Sequence, residues 1–155
     1  MSSLEDYQFE QIRSYDDESA FFARMGRFFS SAMVRRECGG YPLNDGPRYH
    51  WFIVSSKTEA RVLGFISIEH QGDVIRIRDG YMRVEARKRG LFRQLRRQLL
   101  EYIDEMGLPA IACVPLPYVP FMMPYGFRIQ TTRGNWATLR RNKNGAVAAN
   151  IIRTI

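Results

Sequence analysis

The pattern that most restricts what this chain can become lies between residues 73 and 114, where a strand period gives way to a helix period and then to a short apolar run. The stretch DVIRIRDGYMRV (residues 73–84) alternates as a strand does. Leu91, Leu95, Leu99, Tyr102 and Ile103 then recur every three or four residues, with Arg93, Arg96, Arg97, Glu101 and Asp104 elsewhere, which reads as an amphipathic helix. Gly107 and Pro109 stop it. AIACV (residues 110–114) is wholly apolar and follows directly, as suits a buried central strand parallel to the one before the helix. Parallel neighbours cannot be joined by a tight turn, so this segment commits the chain to a crossover and to a sheet with a helix packed on it.

The flanking segments fill out that sheet. Residues 7–13 alternate as a strand, and residues 14–37 switch to helical period, predicting one helix with Phe21, Phe22, Met25, Phe28, Phe29, Ala32 and Met33 on a broad apolar face and Asp16, Asp17 and Glu18 at its N-terminus. CGGYPLNDGPR (residues 38–48) is turn chemistry and predicts a long loop. Residues 49–56, 61–71 and 73–84 read as an antiparallel meander, the second link being Gln71-Gly72-Asp73. Four prolines in PLPYVPFMMPYGF (residues 115–127) allow only a broken helix, and residues 127–142 predict a closing hairpin around Arg133-Gly134. The tail, residues 143–155, reads equally as a final strand or a loose end. The predicted class is α/β (α+β mixed): a central, mostly antiparallel mixed sheet of six to seven strands flanked by helices, with one parallel crossover.

Composition narrows the function. A chain of 155 residues, 45% hydrophobic and 13% aromatic, fits one domain with its own core. Its mean hydropathy of −0.32 and lack of a long apolar run exclude a membrane span, and the acidic N-terminus lacks the features of a signal peptide; both predict a cytoplasmic protein. Cys38 and Cys113 match no metal or disulfide pattern and read as free thiols, Cys113 as a buried inert one. His50 and His70 are the sole histidines, which excludes a multi-histidine metal site. The net charge of +7 is uneven, since residues 106–155 hold six basic residues and no acidic one. Such a segment fits an anionic partner and equally a solvated basic surface.

Six basic residues lie in VEARKRGLFRQLRRQLL (residues 84–100), around Gly90. A strand ending near Met82, a basic loop and a helix starting near Gly90 bring backbone N–H groups to the positive end of a helix dipole, a site suited to phosphate. Glycine at 90 lets an anion approach the backbone, and Arg87, Lys88 and Arg89 add charge at the rim. The nucleotide-triphosphate pattern GxxxxGK[ST] is absent, as are the three glycines of a dinucleotide fingerprint.

At RKRGLF (residues 87–92) the chain resembles the GNAT superfamily of acyl-CoA-dependent N-acetyltransferases, whose motif at the turn from the fourth strand into the next helix is Arg or Gln, two residues, Gly, one residue, then Gly or Ala. Phe92 stands where the family has the small residue. The downstream YGF (residues 125–127) looks like the family's Gly-Phe, and the element order agrees over residues 5–141. The resemblance implies a single GNAT-like domain, with acetyl-CoA as acyl donor lying in a wedge between the strand ending at residues 82–84 and the strand at 110–114. Backbone around Met82, Arg83 and Val84 would hold the pantetheine arm. Arg87, Lys88, Arg89, Gly90, Leu91 and Phe92 would wrap the pyrophosphate. It implies no metal.

Acetyl transfer by direct attack in a ternary complex needs a neutral amine held close, a stabilised oxyanion and a protonated leaving thiolate. The family's proton-donating tyrosine lies four residues before the Gly of Gly-Phe, a position held here by Met122. Tyr118 is the candidate acid, with Tyr125 the other hydroxyl within reach. Asp79 and Glu69, with His70 beside the latter, are candidate bases, although Asp79 equally suits a salt bridge with an arginine. Tyr41, Asn44, Asp45 and Arg48 in the long loop are candidates to line the acceptor site. The basic C-terminal part disfavours polycationic acceptors and favours an acidic, neutral or nucleic-acid-associated one. The resemblance leaves room for a homodimer. A rival from another class is a degenerate acyltransferase fold that binds nucleic acid or protein without turnover, which Met122 and Phe92 both suit.

Overall fold

Seven strands make one mixed sheet in a computed structural model that describes residues 4–145. They are β1 (Tyr7–Ile12), β2 (Tyr49–Ser56), β3 (Val62–His70), β4 (Ile75–Met82), β5 (Ala110–Pro115), β6 (Phe127–Arg133) and β7 (Trp136–Arg141). Their spatial order is β1-β2-β3-β4-β5-β7-β6. The predicted parallel pair is β4 with β5, where Ile75, Arg76 and Ile77 stand opposite Ala110, Ile111 and Ala112. β1 with β2, β5 with β7 and β6 with β7 run antiparallel. The helices are α1 (Glu18–Ser30), α2 (Ala32–Glu37), α3 (Leu91–Met106) and the one-turn α4 (Val119–Met122). This is the expected α/β (α+β mixed) class, with seven strands and one parallel crossover.

The chain forms two compact units, Met1–Ile68 with Asp79–Leu99 and Glu69–Arg78 with Leu100–Ile155. In the first, Phe21, Met25 and Phe28 recur on one side of α1 and are buried, while seven successive residues of β3, Val62 to Ile68, are buried as well. Trp51 is fully buried at the centre, with Phe21, Phe29 and Phe65 at 5.7, 5.3 and 5.3 Å between ring centroids. The Trp51 indole N–H donates to Asp45 Oδ1 at 3.0 Å, and Ser14 Oγ donates to Asp45 Oδ2, so one carboxylate ties the loop to the strand.

The single first helix expected from periodicity is two helices. Ser31 has an extended backbone (φ −85°, ψ 121°), and its hydroxyl accepts the Val34 N–H at 3.2 Å, capping α2. A serine competes well for a cap and poorly for a helix interior, so the chain turns there. Val34 is then buried while Met33 is left exposed.

In the second unit one face of the sheet is buried through Ala110, Ala112, Ala137, Leu139 and Phe127. Residues 115–126 form short turns ending at Gly126 in the left-handed conformation (φ 96°), where a Cβ would collide with the Gly145 carbonyl. The expected β6–β7 hairpin forms, its turn at Gly134 and Asn135 lying one residue beyond the Arg133-Gly134 expected, with a bulge between Ile129 and Thr131. Cys113 is exposed, contrary to the buried cysteine expected. A strand alternates faces, and the buried residues of β5, Ala110 and Ala112, lie on the face opposite Cys113. Lys143–Gly145 is a 3-10 turn. The remainder of the tail, residues 146–155, lies outside the described residues, so neither reading of it is decided. Among the described residues no helix is long and apolar enough to cross a membrane.

Arg141 is the buried charge of this unit, its side chain only 7% exposed. Its guanidinium donates to both oxygens of Asp104, at 2.7 and 3.0 Å, and to Tyr125 O at 2.7 Å. Removing the carboxylate leaves that charge without its counter-ion. Asp104→Ala therefore destabilises the fold by about 2–3 kcal/mol in urea melts, the full cost of a broken buried pair being reduced because Asp104 is partly exposed. Glu59→Ala, which removes a surface partner of Arg61, costs less than about 1 kcal/mol. The two thiols differ too: Cys38 donates to Gly80 O at 3.6 Å and is pushed up to about 12, by burial first, then by the Asp79 and Glu37 carboxylates. A raised thiol stays protonated and inert at lower pH. Alkylation of the folded protein at pH 8, read by mass spectrometry, gives one adduct at Cys113; modification of Cys38 at that pH contradicts the assignment.

Candidate functional site

Beyond β4 the backbone forms a 3-10 turn, Val84–Ala86, and then enters α3 through Arg87, Lys88, Arg89 and Gly90. Lys88 (φ 64°) and Gly90 (φ 78°) are both left-handed. Glycine adopts that conformation freely, whereas a lysine there costs on the order of 1 kcal/mol. Left-handed residues in such a turn curl the chain so that neighbouring N–H groups converge, the concavity that takes anions. The first helical bond of α3 runs from Gln94 N–H to Gly90 O at 3.1 Å. Leu91, Phe92 and Arg93 N–H thus begin the helix without an intrahelical acceptor, at its positive end. A Cβ built on Gly90 would meet no protein atom within 4 Å, so the open side of this turn is free for a ligand.

The side chains around the turn divide by what holds them. Arg87 is fixed rather than a mobile rim charge: Nε donates to Met82 O at 2.9 Å, Nη2 to Glu37 Oε1 at 3.0 Å, and the guanidinium lies 5.6 Å from the centroid of the Tyr81 ring. Arg83 is also structural, with Nε on Val62 O at 2.9 Å and its guanidinium over Phe28. Glu85, the acid of the loop, faces Arg61 at 3.3 Å; its own backbone hydrogen bond first, and then Arg61, hold its carboxyl low. Lys88 is exposed, and among the described residues Arg89 donates to the Tyr7 hydroxyl, at 2.9 Å, and pairs with no carboxylate. These two cations remain to meet an anion.

Leu91 is buried, and Phe92 turns its ring onto β4, where a Cβ at Gly80 would lie 2.8 Å from Phe92 Cζ. The Arg96 guanidinium covers the ring at 5.5 Å. The bulky residue in the motif is therefore accommodated by a glycine twelve positions upstream. Met82 is buried with its thioether against Gly64. Arg83 N–H donates to Leu63 O at 2.8 Å. Amides alternate along a strand, so that of Met82, the last residue of β4, is directed away from β3, while Val84 opens the 3-10 turn beyond the strand. Val84 itself is exposed.

The other sequence candidates are placed as follows. Asp79 exchanges hydrogen bonds with Ser67, its N–H donating to Oγ at 3.1 Å, and its carboxylate raises the Cys38 thiol. Glu69 lies 3.8 Å from Arg78 Nη1 and accepts from Gln71 at 3.1 Å. Tyr118 is exposed at the end of a 3-10 turn, with Phe121 beside it. Tyr41, Asn44 and Arg48 point outward from the long loop, whereas both oxygens of Asp45 hold Trp51 and Ser14. Glu37 and Tyr81 escape a reading of the sequence; burial and Glu37 raise the Tyr81 phenol, keeping it protonated. Neither carries a sequence signal, since Glu37 meets Arg87 across fifty residues of chain. Among the described residues no group of three potential metal ligands occurs.

No protein-family model matches the chain, and no curated protein does. Solved structures do. An acyl-CoA N-acyltransferase from Pseudomonas aeruginosa is 15% identical with a TM-score of 0.69, over 87% of this chain and 99% of that one. Escherichia coli ElaA is 12% identical at 0.68, over 88% and 99%. The PaiA N-acetyltransferase of Thermoplasma acidophilum, solved in complex with coenzyme A, is 13% identical at 0.59, over 92% and 99%. In element order, strand order and these likenesses alike, the chain has the fold of the GNAT acyl-CoA N-acetyltransferases.

Proposed function

We propose that this protein is an acyl-CoA-dependent N-acetyltransferase, a single functional domain that takes acetyl-CoA at the turn opening α3. One observation carries the reading: two left-handed residues, Lys88 and Gly90, open a helix whose first N–H groups lack an intrahelical acceptor, and a Cβ built on Gly90 would meet open space. Diphosphate is the ligand such a turn suits, through backbone donors with Lys88 and Arg89 beside them. A structural neighbour solved with coenzyme A supports that choice of ligand. Backbone at Met82 and Val84 would hold the pantetheine arm, and Arg87, through its bonds to Met82 O and Glu37, would set the shape of the turn.

Acetyl-CoA would supply an activated thioester when bound. The amine nitrogen attacks the thioester carbonyl carbon, an N–C bond forms and the C–S bond breaks. The amine's extra proton passes to a base, and the leaving sulfur takes a proton from an acid. Tyr118, an exposed hydroxyl in the segment that precedes Gly126-Phe127, is the proposed acid. Asp79 is the proposed base, directly or through water, with Glu69 secondary because Arg78 and Gln71 already engage its carboxylate. Tyr41, Asn44 and Arg48 are proposed to meet the acceptor. We place the reaction in the cytoplasm. The second reading, a binding module without turnover, is favoured by Met122 at the family's tyrosine position.

Titration calorimetry tests the coenzyme reading. Acetyl-CoA gives a saturable binding heat, and Gly90→Asp weakens it roughly tenfold or more, since like charges about 5 Å apart at an effective dielectric of about 20 repel by on the order of 3 kcal/mol before screening. Aspartate tolerates the left-handed backbone, so the variant still folds. No heat with acetyl-CoA, or a Gly90→Asp protein that binds as wild type, defeats the proposal. With an acceptor found, Tyr118→Phe lowers kcat by about 10²- to 10⁴-fold at unchanged acetyl-CoA affinity. An unchanged kcat moves the role to Tyr125, and coenzyme binding with no turnover over a broad amine panel supports the binding module.

A further inference from the structure

Among the described residues, the face of the sheet opposite the buried alanines presents exposed and half-buried side chains across β6, β7, β5 and the start of β4. Register sets one line of residues across four strands: Arg128 opposite Arg140, Arg140 opposite Ile111, and Ile111 opposite Arg76. At a strand spacing of about 4.8 Å the line is about 14 Å long. Two positions further along β7 Thr138 stands between Thr131 and Cys113, and beyond it Trp136 stands between Arg133 and Pro115. Trp136 is 40% exposed, and Arg128, Arg133 and Cys113 are exposed as well.

The charge on this face is not cancelled. Among the described residues none of Arg76, Arg128, Arg133 and Arg140 forms an ion pair. Their polar partners are neutral: Arg128 Nη1 donates to Met123 O and Phe127 O, and Arg140 Nε to Asn142 Oδ1. No acidic residue occurs anywhere in residues 106–155. Arginines crowded on a flat surface repel one another, and a polyanion relieves that repulsion while releasing its counterions. A second copy of the same face would bring like charges together, which disfavours self-association there. An exposed indole in the same surface adds what a phosphate site alone would lack, a plane on which a base can stack.

We propose that this sheet face binds single-stranded nucleic acid, with Arg76, Arg128 and Arg140 on phosphates and Trp136 stacked on a base. The inference goes beyond acetyl transfer and does not rest on it.

Fluorescence anisotropy of the full chain with labelled single-stranded DNA and RNA dodecamers tests it. For three to four phosphate contacts, affinity falls roughly 20- to 50-fold between 50 and 200 mM salt. Trp136→Ala weakens binding roughly 5- to 150-fold. Arg128→Ser with Arg140→Ser flattens the logarithmic salt slope by about 1.4. The charge-matched pair Arg36→Ser with Lys57→Ser, exposed residues of the first unit, leaves binding essentially unchanged. Acetyl-CoA calorimetry on the same proteins reports separately on the coenzyme reading and is expected to be unaffected. Four results would overturn the proposal: no binding at 50 mM salt; a Trp136→Ala protein that binds as wild type while heparin competes fully, which marks a general polyanion surface; equal losses in the control pair; or a dimer that Arg128→Ser with Arg140→Ser dissolves, which assigns the face to a second copy.

Discussion

The parallel pairing of β4 with β5 is the constraint on which the rest depends. Two parallel neighbours need a long return, and α3 supplies it, so the helix must begin soon after β4 ends. A helix that begins there presents unpaired N–H groups and the positive end of its dipole at the end of a strand. The sequence from Arg87 to Gly90 elaborates that position with left-handed backbone and uncancelled cations. The topology makes an anion site available, and the local residues determine its shape.

Much of this fold is legible in the sequence alone. Periodicity locates β1 to β4 and α3, an apolar run after the helix stop locates β5, and a turn signal near Gly134 locates the β6–β7 hairpin. The prolines from 115 to 124 and the glycines at 107, 126 and 134 mark breaks that the backbone obeys. Ser31 is not legible, because a serine inside an apolar helical pattern can occupy the interior or cap a new helix, and the burial of Val34 decides between them. Cys113 misleads for a related reason. A five-residue apolar run does not say whether one face or both are covered, and here Cys113, on the face opposite the buried alanines, is exposed.

The site is legible in its backbone and less so in its side chains. Gly90 and the helix start follow from local sequence. The engagement of Arg87 by Glu37, and of Phe92 by Gly80, depends on contacts across fifty and twelve residues, which no motif records. Phe92 illustrates the limit of reading a motif by its spacing. A large residue at a position that favours a small one suggests a blocked turn, yet its ring lies on a strand that lacks a side chain at that spot. The departure and its compensation form one packing unit, and the turn stays open.

A net charge of +7 conceals how differently its arginines behave. Arg141 is buried and neutralised, a stability element whose charge does not reach solvent. Arg83 and Arg87 are held by carbonyls, rings and a carboxylate, so they shape the backbone. Lys88, Arg89 and the four arginines of that sheet face lack a carboxylate partner among the described residues, and their charge is available. The unpartnered cations fall into two groups with different surroundings. One sits beside converging backbone donors, which suits a compact diphosphate; the other lies flat beside an exposed indole, which suits an extended polyanion carrying bases. Counting charges along the chain does not separate these roles. The partner of each guanidinium does, and partner assignment is a property of the fold.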